Sequence, residues 1–387
     1  MKKNILFVVD EKQMGGVSVL LNDILHNINI KKHNIDVAIL HNNGDHLNNL
    51  PKEVNIIYGT PFFNTVDLTI KEVLKTKNIK KIYSKIRLIF LMKTGLITKR
   101  IIKERKRMFN KKYDVEIAFK DGFCAIFTAY GNSTKKYHWL QIDYSKYDCN
   151  EKYPKLFKEV FPKFDKIIAI SYSVLNNFKQ KYNIEKIKTE IIYNIIDTQK
   201  IIDKSEEQKI KYNKNHLNLI AVGRLHDAKG YDRLIDVMNQ LNQEKKLENV
   251  TLRIIGDGPV RDILKNKIKT YNLEDKIIML GQLNNPFPYV KESDCYILSS
   301  RHESFGLVVL EAMILKVPVL ATEVASIKEI MEDKYGFITE NSEEGIYQGI
   351  LNIIENKNIL KDKKNNLKTY KYDTKKIIKQ IENLLDE

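Results

Sequence analysis

Short apolar runs alternate with segments of helical periodicity through most of this chain. Strands are predicted where hydrophobic residues follow one another without a break, as in Asn4–Val9, Leu217–Val222 and 294–298. Between such runs, hydrophobic residues recur three and four positions apart, as in 231–241 and 307–315. Strands that alternate with helices form βαβ units around a parallel sheet. The pattern therefore predicts an α/β protein.

The same alternation runs twice, which at 387 residues predicts two doubly wound, Rossmann-like domains. We expect a first domain at 1–196, with a basic insertion at 66–112, and a second at 197–370. A last helical segment, 371–387, is expected to cross back to the first domain. If the two domains face one another, the carboxyl ends of their strands meet at a shared cleft, where open parallel sheets bind ligands.

Composition narrows the class of protein. Apolar content of 43% with 29% charged residues is typical of a soluble globular chain, which excludes a disordered or fibrous one. The cysteines, Cys124, Cys149 and Cys295, are far apart and form no C-x-x-C, so neither a disulfide framework nor a zinc site is expected. The first apolar run is short and is followed by Asp10 and Glu11, which favours a strand over a signal peptide. No apolar stretch reaches the length of a membrane span, and a cytoplasmic location is expected.

The net charge of +16 is concentrated in one stretch of the first half. Between Lys71 and Lys112, sixteen Lys and Arg residues stand against two acidic residues, Glu72 and Glu104. Apolar residues are interleaved with these charges at Ile82, Ile86, Leu88, Ile89, Phe90, Leu91, Leu96, Ile97, Ile101 and Ile102. Such a segment is typical of a surface for anionic lipid headgroups, where each cation contributes about 1 kcal/mol. Two other interpretations stay open: a nucleic-acid surface, since counterion release needs only clustered cations, and a solvated helical insertion.

A turn and helix at 299–318 carry the strongest candidate chemistry. Polar residues 301–304 follow a predicted strand, and an apolar helical pattern then continues until Pro318. The first residues of that helix, Phe305, Gly306 and Leu307, have backbone amides without helical partners and share about half a positive charge. Because Gly306 has no side chain, an anion can approach the backbone closely.

Charged residues surround this predicted anion site. Glu303 lies in the turn and Glu311 is expected two turns down the helix, although a helix cap and a solvated helix residue are the alternatives. Arg224 and Lys229 follow strand 217–222, so both can reach the ligand edge of the sheet, unless they are an ordinary surface pair. Together with the helix start, their positive charges balance the negative charge of a nucleotide diphosphate. Since no acidic D-x-D cluster follows a strand, we expect cations and amides to stabilise the leaving group without a metal.

Several motifs occur in a specific order along the chain. They are Gly15-Gly16, Gly223-Arg224-Leu225 with Lys229-Gly230, Gly256-Asp257-Gly258-Pro259, Gly281, and E-S-F-G-L-V-V-L-E from Glu303 to Glu311. Their order and spacing resemble those of the retaining nucleotide-sugar glycosyltransferases of family 4, which have the GT-B fold of two facing Rossmann-like domains. The resemblance is strongest over 217–329. In addition, 194–197 is similar to the family's N-G-I-D joint, with Ile195 where glycine is usual.

The resemblance implies a metal-independent enzyme without a cofactor that transfers a sugar, with retention, from a nucleotide-diphosphate sugar. UDP is the expected nucleotide, and a glycan or lipid-linked molecule the expected acceptor. By analogy, Arg224 and Lys229 hold the diphosphate, Glu303 binds hydroxyls of the donor sugar, and these three are the expected catalytic residues. The residues implied in donor binding are Gly16, Ser304, Phe305, Gly306, Leu307, Glu311, Gly256 and Leu283.

One departure from the family affects the expected chemistry. Residues 139–143 resemble the pattern W-I-H-x-D, in which the histidine lines the sugar site, but Gln141 stands at that position. Glutamine can form hydrogen bonds but cannot take a proton at neutral pH, which favours a mechanism without a histidine base. Gln141 and Asp143 are expected on the acceptor side, whereas His138 and His302 are expected to be structural or rim residues.

The sequence thus predicts a glycosyltransferase of cell-surface polysaccharide or glycoconjugate synthesis, bound peripherally to the inner face of the cell membrane through Lys71–Lys112. A nucleotide-sugar epimerase of the same fold is one alternative. A nucleic-acid-binding or nucleic-acid-modifying protein that uses the basic insertion is another, but in that stretch only Tyr83, Phe90 and Phe109 offer rings for base stacking.

Overall fold

The computed structural model describes residues 2–10, 16–41, 50–66, 68–145, 154–356 and 358–387. The chain forms two compact units. The first comprises Met1–Ile195 with Lys375–Glu387, and the second comprises Ile196–Thr374. Each unit contains its own parallel sheet covered by helices, which is the α/β class that the alternating pattern predicted. The shared cleft stays a prediction.

The sheet of the first unit has seven strands among the described residues, in the order β3-β2-β1-β4-β5-β6-β7. The strands are β1 (Asn4–Val9), β2 (Asn34–Ile39), β3 (Asn55–Tyr58), β4 (Val115–Ala118), β5 (Lys135–Leu140), β6 (Lys166–Ala169) and β7 (Lys188–Ile191). Central β1 pairs in parallel with β2 and β4, so that Phe7 lies beside Val37 and Ile117. Because helices cover both faces of a parallel sheet, the side chains of this strand are almost all buried.

Helices connect these strands. They are α1 (Gly16–Asn27), α2 (Ile70–Lys75), α3 (Ile79–Thr94), α4 (Ile97–Met108), α5 (Phe123–Ala129), α6 (Pro154–Val160) and α7 (Tyr172–Lys181). The sequence pattern did not predict α5, because every residue of this helix is buried and it has no polar face to produce a helical period. The helical pattern of the sequence that contains α6 begins at Tyr153, which lies outside the described residues, as does Cys149.

The basic insertion forms three helices rather than one long helical region. Gly95, with φ of 73°, ends α3 in the left-handed conformation, and Asn78 caps its start by accepting a hydrogen bond from the amide of Lys81. Part of its apolar content belongs to the core, because Leu88 and Ile101 are buried. No helix in the described part of the chain has the length and apolar character needed to cross a bilayer.

The second unit has a sheet of six described strands in the order β10-β9-β8-β11-β12-β13. Its strands are β8 (Leu217–Val222), β9 (Val250–Ile255), β10 (Ile277–Gly281), β11 (Cys295–Leu298), β12 (Val319–Thr322) and β13 (Gly336–Thr339). Its helices are α8 (Thr198–Glu206), α9 (Tyr231–Gln243), α10 (Arg261–Thr270), α11 (Phe287–Lys291), α12 (Leu307–Ile314), α13 (Ala325–Ile330), α14 (Glu343–Glu355) and α15 (Asn358–Leu367). Buried Leu219, Leu234 and Ile350 belong to one core that joins β8, α9 and α14.

The last helix, α16 (Thr374–Asp386), returns the chain to the first unit from Lys375 onward. Its apolar face, which includes Leu384 and Leu385, is buried. The Nζ atom of Lys166 lies 2.6 Å from an Oε1 atom of Glu387, and His33 Nε2 lies 3.0 Å from Asp386 Oδ1. Polar contacts therefore fix the end of α16 to the sheet of the first unit.

Candidate functional site

The predicted donor residues of the second unit follow the carboxyl ends of its strands. Gly223 comes directly after β8, Gly256 after β9, and half-buried Leu283 two residues after β10. Because parallel strands of one sheet end at the same edge, these turns lie side by side. The amide of Gly223 donates to the carbonyl of Ile255 at 2.9 Å, and the amide of Gly256 to that of Gly281 at 2.8 Å.

Close backbone packing explains the glycines of this edge. Gly256 has φ of 147°, and a Cβ atom there would lie 1.9 Å from the carbonyl oxygen of Gly223. The amide of Leu225 also donates to the carbonyl of Asp257 at 2.9 Å. Any side chain at Gly256 would therefore push apart the two turns that bear Arg224 and Asp257. This close contact explains why residue 256 is a glycine. The role of Gly256 in donor binding stays a prediction.

Lys229 and Glu303 meet although 74 positions separate them in the chain. The Nζ atom of Lys229 lies 2.5 Å from Oε1 of Glu303, and the buried hydroxyl of Ser300 donates to the same oxygen at 2.8 Å. The side chain of Lys229 is 25% exposed and that of Glu303 is 10% exposed, so both remain accessible to a small ligand. No side chain caps α12, so the helix-cap interpretation of Glu303 is wrong.

Arginine hydrogen bonds fix the turn that presents Lys229. Gly230 is left-handed with φ of 64°, and a Cβ atom there would lie 2.1 Å from the carbonyl oxygen of Ser299. Arg233 donates to that same oxygen from Nε at 3.0 Å and from Nη2 at 2.8 Å. The Ser299 hydroxyl in turn donates to the Lys229 carbonyl at 2.9 Å. Nothing local in the sequence indicates this role of Arg233, because its partners are distant in the chain.

A second arginine joins the turn before α12 to helix α9. Both Nη atoms of Arg301 lie 2.7 Å from the carboxylate oxygens of Asp232, and Nη1 also donates to the carbonyl of Asp227 at 2.8 Å. The paired guanidinium lowers the pKa of Asp232. This planar double contact restrains the orientation of the turn that carries Glu303. Nothing local in the sequence indicated this pair.

Helix α12 begins two residues later than predicted. Its first residue is Leu307, and Gly306 is the left-handed N-cap with φ of 89°, so Phe305 lies in the preceding turn, where it is buried. A Cβ atom on Gly306 would lie 2.5 Å from Cδ1 of Ile327. Half-buried Ser304 and Leu307 flank the same point. The positive end of the helix is therefore at Gly306 and Leu307.

Glu311 lies just over one turn into α12, not two turns, because the helix starts later than predicted. The carboxylate is half-buried and has no hydrogen-bond or ion-pair partner in the described part of the chain. Burial raises its pKa from the ordinary 4.5 to about 7. A solvated helix residue would not show this shift. Glu311 thus offers an acceptor whose hydrogen-bonding capacity none of the described residues uses.

Arg224 takes no part in the ion pair of Lys229 with Glu303. It is exposed, and no hydrogen bond or ion pair joins it to another residue that the structure describes. The cationic half of the predicted diphosphate site therefore consists of one paired and one unpaired side chain. Within the described ranges, no group of three or more His, Cys, Asp and Glu residues could hold a metal ion.

The candidate residues of the first unit have different surroundings. Gly16 opens α1, while Gly15 lies outside the described residues. Gln141 is buried, its backbone amide donates to Asp121 at 2.9 Å, and its side-chain Nε2 has no partner among the described residues. Asp143 accepts a hydrogen bond from the side chain of Asn177 in α7 at 2.7 Å, and this contact restrains the turn that contains Asp143.

The two histidines that were expected to be structural or rim residues lie in different environments. His138 is fully buried and stacks on Phe161, with ring centroids 5.7 Å apart. Burial lowers its pKa to about 3, so it is neutral near pH 7. His302 is half-buried in the turn before α12. The environment of His138 is that of a packed core side chain rather than of a general base.

One family model and several known proteins match parts of this chain. Residues 203–374 match the family model described as glycosyl transferases group 1. Over 279 residues, the chain is 29% identical to the N-acetylgalactosamine-N,N'-diacetylbacillosaminyl-diphospho-undecaprenol 4-alpha-N-acetylgalactosaminyltransferase of Campylobacter jejuni. The aligned region covers 69% of this chain and 74% of that protein. Over 169 residues it is 28% identical to the N-acetyl-alpha-D-glucosaminyl L-malate synthase of Bacillus anthracis, covering 43% of this chain and 44% of that protein.

Solved structures extend the likeness to the whole chain. The Anabaena protein HepE, crystallised with UDP and glucose, has a TM-score of 0.69 at 19% identity and 99% coverage of both chains. TarM has a TM-score of 0.73 at 15% identity, covering 100% of this chain and 99% of that one. At such low identity the likeness establishes the fold alone, and it confirms the predicted GT-B class.

Proposed function

Because residues 203–374 match the glycosyl transferases group 1 family, we propose that the chain transfers a sugar, with retention, from a UDP-sugar to a glycan or lipid-linked acceptor in cell-surface polysaccharide or glycoconjugate synthesis. The ion pair of Lys229 with Glu303 next to the start of α12 carries this proposal. It puts a cation and a carboxylate beside a helix N-terminus, a position that favours anions. The name of the Campylobacter relative supports a lipid-diphosphate-linked acceptor, and HepE, crystallised with UDP, supports the nucleotide.

The diphosphate is proposed to bind at Lys229, Arg224 and the amides of Gly306 and Leu307. When a phosphate oxygen takes over Lys229, Oε1 of Glu303 loses its cation and can accept a hydroxyl of the donor sugar instead. The hydrogen bond from Ser300 holds this carboxylate in place during the exchange. As the bond to the sugar breaks, negative charge develops on the leaving phosphate, and fixed cations and amides stabilise that charge.

Glu311 is proposed to accept hydroxyls of the nucleotide ribose, since its carboxylate has no partner in the described part of the chain. No protein group is assigned as nucleophile. The leaving phosphate oxygen is proposed to help remove the proton of the acceptor hydroxyl, as the family resemblance implies. A mechanism of this kind needs neither a metal nor the histidine that Gln141 replaces.

Transfer and hydrolysis of UDP-sugars by the purified protein test this proposal, after a thermal-shift screen has selected the donor. Glu303→Gln and Lys229→Gln are each expected to lower kcat/KM at least 100-fold, or about 2.7 kcal/mol. The controls are Lys246→Gln and Glu355→Gln, which remove an exposed ion pair of the same unit. If both site variants kept wild-type activity, the proposed site would be refuted. A changed nucleotide-sugar released without acceptor would indicate the epimerase instead.

We also propose that the first unit binds an anionic membrane surface, at the inner face of the cell membrane. Four residues of α3 form an apolar stripe: Ile79, Tyr83, Ile86 and Phe90, which are 81%, 67%, 62% and 59% exposed. Their spacing puts them on one side of the helix, whereas Leu88 and Met92 on the other side are buried. An exposed apolar stripe among basic residues is typical of a helix that lies in the lipid interface.

A further inference from the structure

A cavity of about 480 Å³ lies within the first unit, which is in the size range of small-molecule sites. We name it the basic cavity, and its lining residues are Thr60, Pro61, Phe62, Asn64, Thr65, Asn78, Lys80, Lys81, Tyr83, Ser84, Arg87, Arg100, Glu104 and Arg107. Thr60 and Pro61 follow the carboxyl end of β3. The cavity therefore opens at the edge of the sheet where parallel α/β folds bind ligands.

Positive charge dominates the lining of the basic cavity. Five cationic side chains face a single carboxylate, that of Glu104. Fully buried Glu104 already accepts from Arg100 at 2.7 Å, from Arg107 at 3.0 Å and from the hydroxyl of Thr60 at 2.7 Å. The side chains of Lys80, Lys81 and Arg87 have no carboxylate partner in the part of the chain that the structure describes. An anion in the cavity would neutralise them.

Arg100 is held in a fixed position at this cavity. Its guanidinium lies over the ring of Phe62, 5.0 Å from the centroid, while Glu104 pairs with Nη2. Its Nε atom is buried and has no hydrogen-bond partner among the described residues. A planar donor that is oriented in advance and not fully satisfied is suited to oxygen atoms of a phosphate.

We propose that the basic cavity binds a phosphate or diphosphate group carried by an amphipathic lipid. Tyr83 belongs both to the cavity lining and to the apolar stripe of α3, so a headgroup in the cavity would place its apolar tail beside the stripe. A cavity of this limited volume fits an isolated phosphate group better than the continuous backbone of a nucleic acid. The lipid part rests on the proposed membrane binding, whereas the anion part is independent of sugar transfer.

Calorimetric titration with inorganic pyrophosphate, with saturating UDP in place to occupy the proposed donor site and without membrane, tests the anion part. The double variant Lys80→Gln/Arg87→Gln is expected to weaken pyrophosphate binding at least tenfold. The matched control, Lys99→Gln/Lys103→Gln, removes the same charge from exposed positions of α4 that do not line the cavity, and we expect less than a twofold change. Unchanged fluorescence of Trp139 verifies that both variants are folded.

Co-sedimentation with vesicles tests the lipid part. Phosphatidylcholine vesicles that contain about one fifth phosphatidic acid should bind the wild-type protein, and pure phosphatidylcholine should not. Ile86→Ser/Phe90→Ser is expected to abolish sedimentation but to leave pyrophosphate binding unchanged. If these serine variants sedimented normally, the ligand would not be a membrane lipid and the proposal would fail in that form.

Three results would refute the proposal that the basic cavity binds an anion. These are no pyrophosphate binding by the wild-type protein, equal losses in the cavity and control variants, or duplex DNA binding that is tighter than vesicle binding and equally weakened in both variants. The second and third would show diffuse charge rather than a site. Because UDP occupies the proposed donor site during the titration, any of these results would concern the basic cavity and leave the proposed transferase activity untouched.

Discussion

At the scale of single residues, the hydroxyl of Ser300 has a specific task at the proposed site. It is buried and donates to the same oxygen of Glu303 that Lys229 contacts, while its own carbonyl accepts from Thr322 at 2.6 Å. A hydrogen bond to a charged group contributes about 1.5–3 kcal/mol. This contact therefore orients Glu303 whether or not Lys229 is engaged.

We predict that Ser300→Ala lowers kcat/KM about tenfold while Glu303 and Lys229 stay in place, since one of two contacts that orient the carboxylate is lost. The measurement is steady-state transfer with the donor found by the screen. Ser293→Ala is the control, because its hydroxyl donates to the carbonyl of Tyr289 instead. A loss of the same size in the control would mean that general destabilisation, not orientation, is responsible.

Glu311 predicts a pH dependence of stability. Its pKa is about 7 in the folded protein and near 4.5 when unfolded, so the unfolded state releases this proton at lower pH. The stability of the folded state therefore falls as the pH rises from about 4.5 to 7. Glu311→Gln should raise the free energy of unfolding by about 1–2 kcal/mol at pH 8, with the gain fading toward pH 4.5.

Urea denaturation at several pH values measures this effect, with the exposed Glu355→Gln variant as control. The same Glu311→Gln protein should bind the nucleotide-sugar selected by the screen more weakly, because an amide is a poorer acceptor for ribose hydroxyls than a carboxylate. A variant that gained no stability at pH 8 would contradict the burial argument. One that kept full affinity would contradict the proposed ribose contact.

At the scale of elements, the start of α12 depends on Gly306 for two separate reasons. Its φ of 89° disfavours any residue with a side chain, and a Cβ atom would clash with Cδ1 of Ile327 at 2.5 Å. Gly281 has a similar φ of 72° but nothing within 4 Å of its ideal Cβ position. The two glycines therefore separate backbone strain from steric overlap.

We predict that Gly281→Ala costs about 1 kcal/mol and Gly306→Ala about 2–3 kcal/mol in the free energy of unfolding, because only the second adds a clash to the strain. Chemical denaturation followed by circular dichroism gives both values. Gly306→Ala should also reduce donor affinity, since the first amides of α12 shift. Equal costs for the two variants would show that Ile327 moves away freely.

At the scale of the whole molecule, the chain returns to its first unit through α16. Leu384 and Leu385 are 1% exposed, and the carboxylate of Glu387 accepts a hydrogen bond from Lys166 of β6. The protein has a single tryptophan, Trp139, which is buried in β5 of the first unit. Tryptophan fluorescence therefore reports the unfolding of this unit alone.

We predict that Leu384→Ala lowers the free energy of unfolding of the first unit by about 2–4 kcal/mol, since a buried side chain is removed. Asp386→Asn should cost less than about 1 kcal/mol, because the Asp386 side chain is 35% exposed and that of its partner Lys32 is 50% exposed. The transition is followed by the fluorescence of Trp139. A negligible effect of Leu384→Ala would mean that α16 does not stabilise the unit against which it packs.

The sequence by itself determined most strands and the residue types of the candidate site. Strands such as β1 and β8 were predicted because an apolar run between turns is a local signal. Likewise, Gly306 and Glu303 stood out through their position between a strand and a helix. Helix α8 was missed, because the start of the second unit has a weak period, although Asp197 caps it by accepting from the amide of Lys200 at 2.9 Å.

Only the tertiary structure decided which of these residues act together. The contact of Lys229 with Glu303, the pairing of Arg301 with Asp232, and the basic cavity all join residues whose distance in space is unrelated to their separation in sequence. The fold also divided the apolar residues of α3 between the core and the exposed stripe. Periodicity records which side of a helix is apolar, but the packing of neighbouring elements determines which side is covered.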